Sequence, residues 1–315
     1  MHHPTRHRGY TLLLTLLLLA IMAASVAALA RTSLEAALEA SDGERNLKRR
    51  WAALSAQQVL ADLGPRILAR RFAEYVATQD PSQAVHPIEE APPSTIQDSV
   101  ALGGLEIEFV FTDEQARFNF NRALLDADGD VHIAQRRLAD SFARHLPGVL
   151  DGATVALRPL DEDLAFSLDL PRLPSPGSVF ESNGPGSTTL ITSGSEIKPD
   201  WASHLTTWGN GQLRLNLASD PALRILCEPM LAPDEIETLL DFRGETPAVT
   251  VLQLLRWLPL RAAQRAWLRQ RLTDASSTYS LRMTIHDGQR RWERLAVIET
   301  DRTDGAVRYA TEWRP

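Results

Sequence analysis

The chain has 315 residues, enough for one large or two small domains beyond any terminal segment, and its formal net charge of −7 gives no overall attraction for nucleic acid. Its one cysteine, Cys227, excludes an intrachain disulfide. We expect Cys227 in a helix core rather than as a nucleophile, because its neighbours offer no base in a recognisable motif.

The chain begins with a short basic leader and a long apolar run. Nine residues precede the uncharged stretch from Tyr10 to Ala30, which as a helix would span about 30 Å, the thickness of a bilayer core. Three interpretations compete: a secretory signal cut near Ala30, an uncleaved signal anchor, and a prepilin-type leader cut directly after Gly9. The basic leader predicts a cytoplasmic N-terminus, with the residues after Arg31 outside.

Residues 31–78 are predicted to extend this helix with an amphipathic pattern. Gly64 and Pro65 are expected to break or kink it, with a short helix resuming over Ile67–Val76. Residues 79–104 are predicted to be a linker, because Asp80–Asp98 is rich in proline and polar residues. The apolar positions that recur at steps of three or four are Leu34, Ala37, Leu38, Leu47, Trp51, Leu54, Leu60 and Leu63.

The next segments predict a sheet interrupted by an insertion. Alternation over Leu105–Phe111 indicates a strand, followed by a turn and a second short stretch, so that residues 105–121 and 278–315 share one sheet. Residues 122–217 are predicted to be a loop-rich insertion, with one helix at Ile133–Leu146. Its short strand candidates are Thr154–Arg158, Ala165–Leu168 and Thr188–Thr192, and a tight turn signal at Trp208–Gly211 leads into Gln212–Leu217.

A helical block and a meander complete the chain. Residues 218–273 carry seven acidic and seven basic residues and predict four short helices. Residues 278–315 predict three strands joined at Asp-Gly turns, which need a cover for their apolar face. The predicted helices are Pro221–Cys227, Pro233–Phe242, Thr250–Leu255 and Arg261–Leu272, and the predicted strands are Tyr279–His286, Arg290–Thr300 and Ala306–Trp313.

These elements predict an α+β, pilin-like fold. The amphipathic part of the long N-terminal helix would pack on the antiparallel sheet, and the apolar part would stay in the membrane. The mainly helical block of residues 218–273, similar to a helix-hairpin-helix module, would be an inserted domain.

Four segments resemble the type II secretion minor pseudopilin K family. They are Arg8–Tyr10 with its apolar run, the Asp-Glu-containing stretch Thr112–Asn121, the Asn-containing stretch Thr207–Ala218, and the helical block that ends in a meander. The chain departs from the family pattern at Tyr10, where Phe or Met is more usual. It also departs at Ala116, in place of Gly, and at Arg214, in place of the first Asn of the second motif.

The resemblance implies processing by prepilin peptidase between Gly9 and Tyr10, with methylation of Tyr10. It implies a single-pass inner-membrane protein whose membrane segment runs from Tyr10 past Leu14 to Ala30, with a periplasmic C-terminal domain. Most pilins carry Glu where this chain has Leu14, and the K members lack it. The partners implied are the minor pseudopilins I and J at the tip of a pseudopilus, with no nucleic acid.

Little in the sequence indicates catalysis. Asp113 and Glu114 are adjacent on a strand, so they would point to opposite faces and we expect them to cap a turn. The histidines show no metal spacing. We therefore expect a protein that is not an enzyme and needs no cofactor.

One calcium site is left open. Asp126, Asp128 and Asp130 alternate as calcium ligands do, but Gly129 is at the fourth position of the loop and Arg137 at the twelfth. They do not form an EF-hand, and the competing interpretation is a solvated turn.

Two other functions remain open at this stage. A type IV pilus minor pilin would share the same N-terminus and fold. A membrane-anchored DNA-binding protein of the competence type would share the helical block, but the turn Glu228–Pro233 lacks the glycines whose amides approach phosphate in such modules.

Overall fold

The computed structural model describes residues 8–78, 92–125, 137–138, 140–142, 144–146, 156–157, 180–181, 204–288, 290–300 and 307–313. The chain divides into two compact units, Met1–Leu54 and Ser55–Pro315. The boundary between the units falls inside the first helix.

Helix α1 runs from Arg8 to Thr78, and in its first part the side chains are uncovered. Every residue from Tyr10 to Lys48 is exposed. By length and composition this helix could cross a membrane, which is consistent with a single-pass anchor.

The expected break at Gly64 and Pro65 is wrong, because α1 continues through both residues. Proline removes one backbone hydrogen bond from a helix interior. Leu60 and Leu68, on either side, are 9% and 1% exposed. Packing therefore keeps both adjoining turns helical despite the lost bond.

A five-stranded antiparallel sheet lies in the second unit. Its order follows the chain, with each strand paired to the next. The strand and meander predictions are confirmed to within one or two residues at the described ends. The strands are β1 Thr95–Leu102, β2 Leu105–Asp113, β3 Thr278–Asp287, β4 Arg290–Glu299 and β5 Val307–Trp313.

Strand β1 corrects the predicted linker 79–104. Thr95–Leu102 pairs along its whole length with β2, through a turn at Gly103 and Gly104, whose φ angles are +62° and +81°. Residues 97–102 are exposed on both faces. Because such a strand needs no apolar alternation, the sequence carries little sign of it.

The second half of α1, Ser55–Thr78, packs on this sheet. The ring of Phe111 on β2 is fully buried and lies so close to Gly64 that a Cβ there would be 2.5 Å from it. Arg294 on β4 donates from Nε to Gln57 Oε1 at 3.1 Å. The helix, the sheet and the helical region together form the expected α+β pilin-like fold.

The helical region forms a second core. Its helices are α3 Asp220–Cys227, α4 Pro233–Glu245, α5 Val251–Trp257 and α6 Ala262–Arg271, close to the predicted ones. Helix α2, Phe120–Leu125, contributes Phe120, and Phe142 and Leu146 also enter this core. Cys227 is fully buried within it, as expected.

Much of the predicted insertion lies outside the described residues. The described residues of 137–145 are helical, in agreement with the predicted Ile133–Leu146. Of Thr154–Arg158 only Ala156–Leu157 is described, as a strand paired with Phe180–Glu181. The strand candidates Ala165–Leu168 and Thr188–Thr192 lie outside the described residues. Within Gln212–Leu217, Leu213–Arg214 forms a short strand that pairs in parallel with Leu272–Thr273.

Candidate functional site

The residues predicted for processing and for the membrane segment lie along one helix. Gly9 and Tyr10 are in the first turn of α1, Leu14 is one turn further on, and Ala30 is at the far end of the apolar run. The side chains of Tyr10 and Leu14 are 71% and 46% exposed. From Tyr10 to Ala30 the helix rises by about 30 Å, so these residues define a length of membrane-compatible surface rather than a convergent site.

The two motif segments meet at a buried cluster, here called the polar junction: Asp113, Glu114, Gln115, Asn119 and Arg214. The first four come from Thr112–Asn121, at the end of β2, and Arg214 comes from Thr207–Ala218. All five residues are at least nine-tenths buried. Their partners lie on three separate parts of the chain, so the junction connects the sheet to the helical region.

Asp113 occupies the centre of the polar junction and caps the one-turn helix Glu114–Ala116. Its Oδ1 accepts from Gln115 N at 3.0 Å, and its Oδ2 accepts from Ser276 Oγ at 2.5 Å and from Arg214 Nη1 at 3.1 Å. Burial raises the pKa of Asp113, while the bonds from Ser276, Arg214 and the Gln115 amide oppose that rise. The interpretation of this residue as a turn cap is confirmed.

Glu114 forms hydrogen bonds with partners other than those of Asp113. It accepts from the hydroxyls of Thr206 and Ser280, and Arg117 Nη1 lies 3.6 Å from its Oε1. Asp113 and Glu114 share none of these partners. Adjacent carboxylates that face separate partners do not make an acid–base pair, and here each satisfies a different segment.

Gln115 holds the segment that enters β3. Its Oε1 accepts from the backbone amides of Ser277 and Thr278 at 2.5 and 3.3 Å. Its Nε2 donates to Asn210 Oδ1 at 3.0 Å, in the second motif. One amide side chain thus satisfies groups on both sides of the junction.

Asn119 holds the glycine turn of the second motif. Its Nδ2 donates to the carbonyls of Trp208 and Gly209 at 2.7 and 3.1 Å, and its Oδ1 accepts from Arg122 N at 2.9 Å, at the start of α2. Gly209 has φ +98°, a conformation that favours glycine. The Asn and Gly positions of the two motifs are therefore explained by contact with each other.

Arg214 brings α1 into the polar junction. Its guanidinium lies 5.3 Å from the ring centroid of Phe72, in the last turns of α1, while it donates to Asp113. In the sequence, Arg214 is notable only as a departure from a family pattern. Its pairing with Asp113 was missed, because the two residues are 101 positions apart and nothing local connects them.

The described side chains offer no visible catalytic or metal centre. Within the described ranges, no group of three or more His, Cys, Asp or Glu could hold a metal ion. Burial raises the pKa of Cys227 to about 12, so the thiol stays protonated and unreactive. The candidate calcium ligands Asp126, Asp128 and Asp130 lie outside the described residues.

In the two turns of the helical block, backbone amides donate hydrogen bonds to acceptors within the chain. In the turn after α3, the amides of Met230 and Leu231 donate to Cys227 O, and Ala232 N donates to Glu235 Oε2. In the turn before α6, Leu260 N donates to Leu258 O, and Arg261 N to Gln264 Oε1. These amides are not available to a phosphate group.

Comparison with known proteins gives matches among solved structures only. No family model matches the chain, and no curated protein matches it. Among solved structures, the chain is similar to a chain in the crystal structure of the GspK-GspI-GspJ complex from the type 2 secretion system of enterotoxigenic Escherichia coli. The sequence identity is 15% and the TM-score 0.40, over 85% of this chain and all of the other.

Proposed function

We propose that the protein is a non-enzymatic minor pseudopilin of a type II secretion system. The observation that carries the proposal is the course of α1. It begins at Arg8, directly before Gly9 and Tyr10, runs through an exposed apolar stretch and continues without a break to the part that packs on an antiparallel sheet. This arrangement suits a subunit whose membrane helix becomes the stalk of an assembly.

The membrane stretch supports a place at the tip. Leu14 stands where most pilins carry a Glu that pairs with the amine of a neighbouring subunit, and a tip subunit has no neighbour above it to pair with. A lone carboxylate at that depth would be costly. We propose minor pseudopilins I and J as its partners there, with prepilin peptidase acting before assembly.

The proposed location is the inner membrane, with the N-terminus cytoplasmic and the C-terminal domain in the periplasm. The basic leader before the apolar run supports this orientation. A type IV pilus minor pilin remains the second candidate, because it would share the same helix and sheet. The DNA-receptor alternative is disfavoured by the occupied amides of the two turns in the helical block.

N-terminal mass spectrometry of the protein from membranes tests the proposal. We expect a mature chain that starts at methylated Tyr10, and an unprocessed chain in a Gly9→Val variant. A start at Met1, or a cut after Ala30, would overturn it.

Co-purification then separates the two assemblies. The mature protein should retain the I and J pseudopilins of the same cell and no type IV minor pilin. Retention of type IV minor pilins alone would instead assign the protein to a type IV pilus.

A further inference from the structure

The charges of the helical block are segregated, although acids and bases are equal in number. Residues 220–245 contain seven acidic and two basic residues, whereas residues 256–271 contain five arginines and no acid. The block therefore carries a strongly basic segment within a chain whose net charge is −7. Such a segment attracts anionic groups whatever the sign of the whole chain.

Four of these arginines are here called the arginine face: Arg256 at the end of α5, Arg261 at the N-cap position of α6, and Arg265 and Arg269 within α6. All four are exposed, and none of them enters an ion pair with another described residue. The arginines nearer the acidic segment behave differently, since Arg224 pairs with Glu237 and Arg243 with Asp220. Arg261 Nε donates to Gln264 Oε1 and Arg265 Nε donates to the Leu260 carbonyl, but both acceptors are neutral, so no described carboxylate neutralises the positive charge of the arginine face.

The spacing of the arginine face suits a linear partner. Arg261 is at the N-cap position of α6, and Arg265 and Arg269 follow at intervals of four residues, so the three share one face with a rise of about 6 Å per step. The exposed residues between them, Ala262 and Ala266, are small. A neighbouring chain could therefore approach the guanidinium groups closely.

One sequence neighbour of the arginine face is an exposed aromatic residue. Trp257 follows Arg256 directly, is 52% exposed, and stacks on Phe242 with ring centroids 4.1 Å apart. Trp and Arg are enriched among the residues that contribute most to protein–protein binding. The stacking holds the indole in place, so its ordering costs little when a partner binds.

We propose that the arginine face binds a short carboxylate-rich segment of a partner protein. Guanidinium groups bind carboxylates through two parallel hydrogen bonds, which a row of arginines can repeat along a chain. This interaction goes beyond the proposed place in a pseudopilus and does not depend on it.

The surroundings favour an acidic peptide over nucleic acid. The turns beside the arginine face have their amides occupied, so the phosphate contacts of a helix-hairpin-helix module are not available. Glu235 on α4 accepts from Gln264 Nε2 on α6 at 2.9 Å, so the acidic helix lies directly beside the basic one. A long polyanion would meet the exposed carboxylates of Asp234 and Asp241, whereas a short segment would not.

Fluorescence anisotropy with a labelled poly-L-glutamate peptide tests this proposal on the full chain in an uncharged detergent. We expect salt-dependent binding to the unaltered protein and at least about tenfold weaker binding to R265E/R269E. The matched control is R66E/R70E, which reverses two exposed arginines of the same spacing that already pair with Asp62 and Glu74. It should change the affinity less than about twofold.

A second variant and two competitors complete the test. R265Q/R269Q, which adds no negative charge, should give an intermediate loss. Single-stranded DNA of equal charge and soluble dihexanoylphosphatidylglycerol should displace the peptide less well than unlabelled polyglutamate does. Unchanged affinity in R265E/R269E, or stronger binding of DNA or of the lipid at these arginines, would overturn the proposal.

Discussion

The two halves of α1 have the same backbone and similar apolar spacing, but their side chains have different surroundings. In the first half, Leu34, Leu38, Leu47 and Trp51 are all more than half exposed. In the second half, Leu60 and Leu68 are buried and Gly64 lies against the ring of Phe111. Helical periodicity thus identifies an apolar face without saying what will cover it. Over residues 10–48, no other described residue supplies that cover.

This contrast leads to three predictions, each pairing a change in the packed unit with a matched change in the first half of α1. All of them use the full chain in an uncharged detergent. The measured quantity is the free energy of unfolding in urea, followed by tryptophan fluorescence.

The largest effect is expected for Arg214→Leu. Removing the guanidinium leaves the carboxylate of Asp113 buried without its cation, at a cost of about 3–5 kcal/mol near neutral pH. The control Arg31→Leu breaks a pair with Glu35 whose side chains are 81% and 57% exposed, and it should give no measurable change. Equal losses in the two variants would contradict the assignment of Arg214 as a buried partner.

The cost of Arg214→Leu should also depend on pH. Arg214 lowers the pKa of Asp113, so its removal raises the folded-state pKa further above the ordinary value of 3.8. For an acid with a raised folded-state pKa, stability is fully present below the unfolded-state pKa and is lost as pH rises through the folded-state one. The difference between wild type and variant should therefore be smallest at acidic pH and grow toward neutrality. A constant difference would refute this role.

Leu68→Ala should have the next largest effect. Leu68 is 1% exposed, and emptying its site should cost about 2–5 kcal/mol through lost burial and a residual cavity. Leu38→Ala makes the same chemical change at a residue that is 59% exposed and should stay within about 0.5 kcal/mol of the parent. A comparable loss at Leu38 would show that the first half is covered within the purified chain.

Gly64→Ala should have the smallest of the three effects. The added methyl group would meet the ring of Phe111, and the overpacking should cost about 1–3 kcal/mol. At Gly43 a Cβ meets nothing within 4 Å, so Gly43→Ala should stabilise by up to about 1 kcal/mol through helix propensity. If the close approach to Phe111 is the cause, Phe111→Leu should recover part of the loss at Gly64. If the losses of Gly64→Ala and Phe111→Leu simply add in the double variant, the close approach to Phe111 is not the cause.

The helical block could be predicted from the sequence because its signals are local. Ser219 and Thr250 cap α3 and α5 by accepting from the amides of Ala222 and Gln253. Prolines and glycines separate the helices. The meander could also be predicted, since Asp287-Gly288 marks the turn between β3 and β4.

The remaining features depend on contacts between distant residues. The exposed strand β1 has no alternation to detect, and Gly64 was interpreted as a helix breaker because its neighbour Phe111 is known only from the fold. The pairing of Arg214 with Asp113 likewise spans 101 positions. The motifs around Gln115 and Asn119 could be recognised, but their mutual contact required the structure.

The burial of Cys227 has a practical use. Its thiol is enclosed in the helical core, and its pKa of about 12 keeps the nucleophilic thiolate scarce. A cysteine introduced at an exposed position, such as Trp51 on α1 or Ala266 on α6, would therefore be the first to react with a maleimide dye. Site-specific fluorophores or crosslinkers can thus be attached without first replacing the native cysteine.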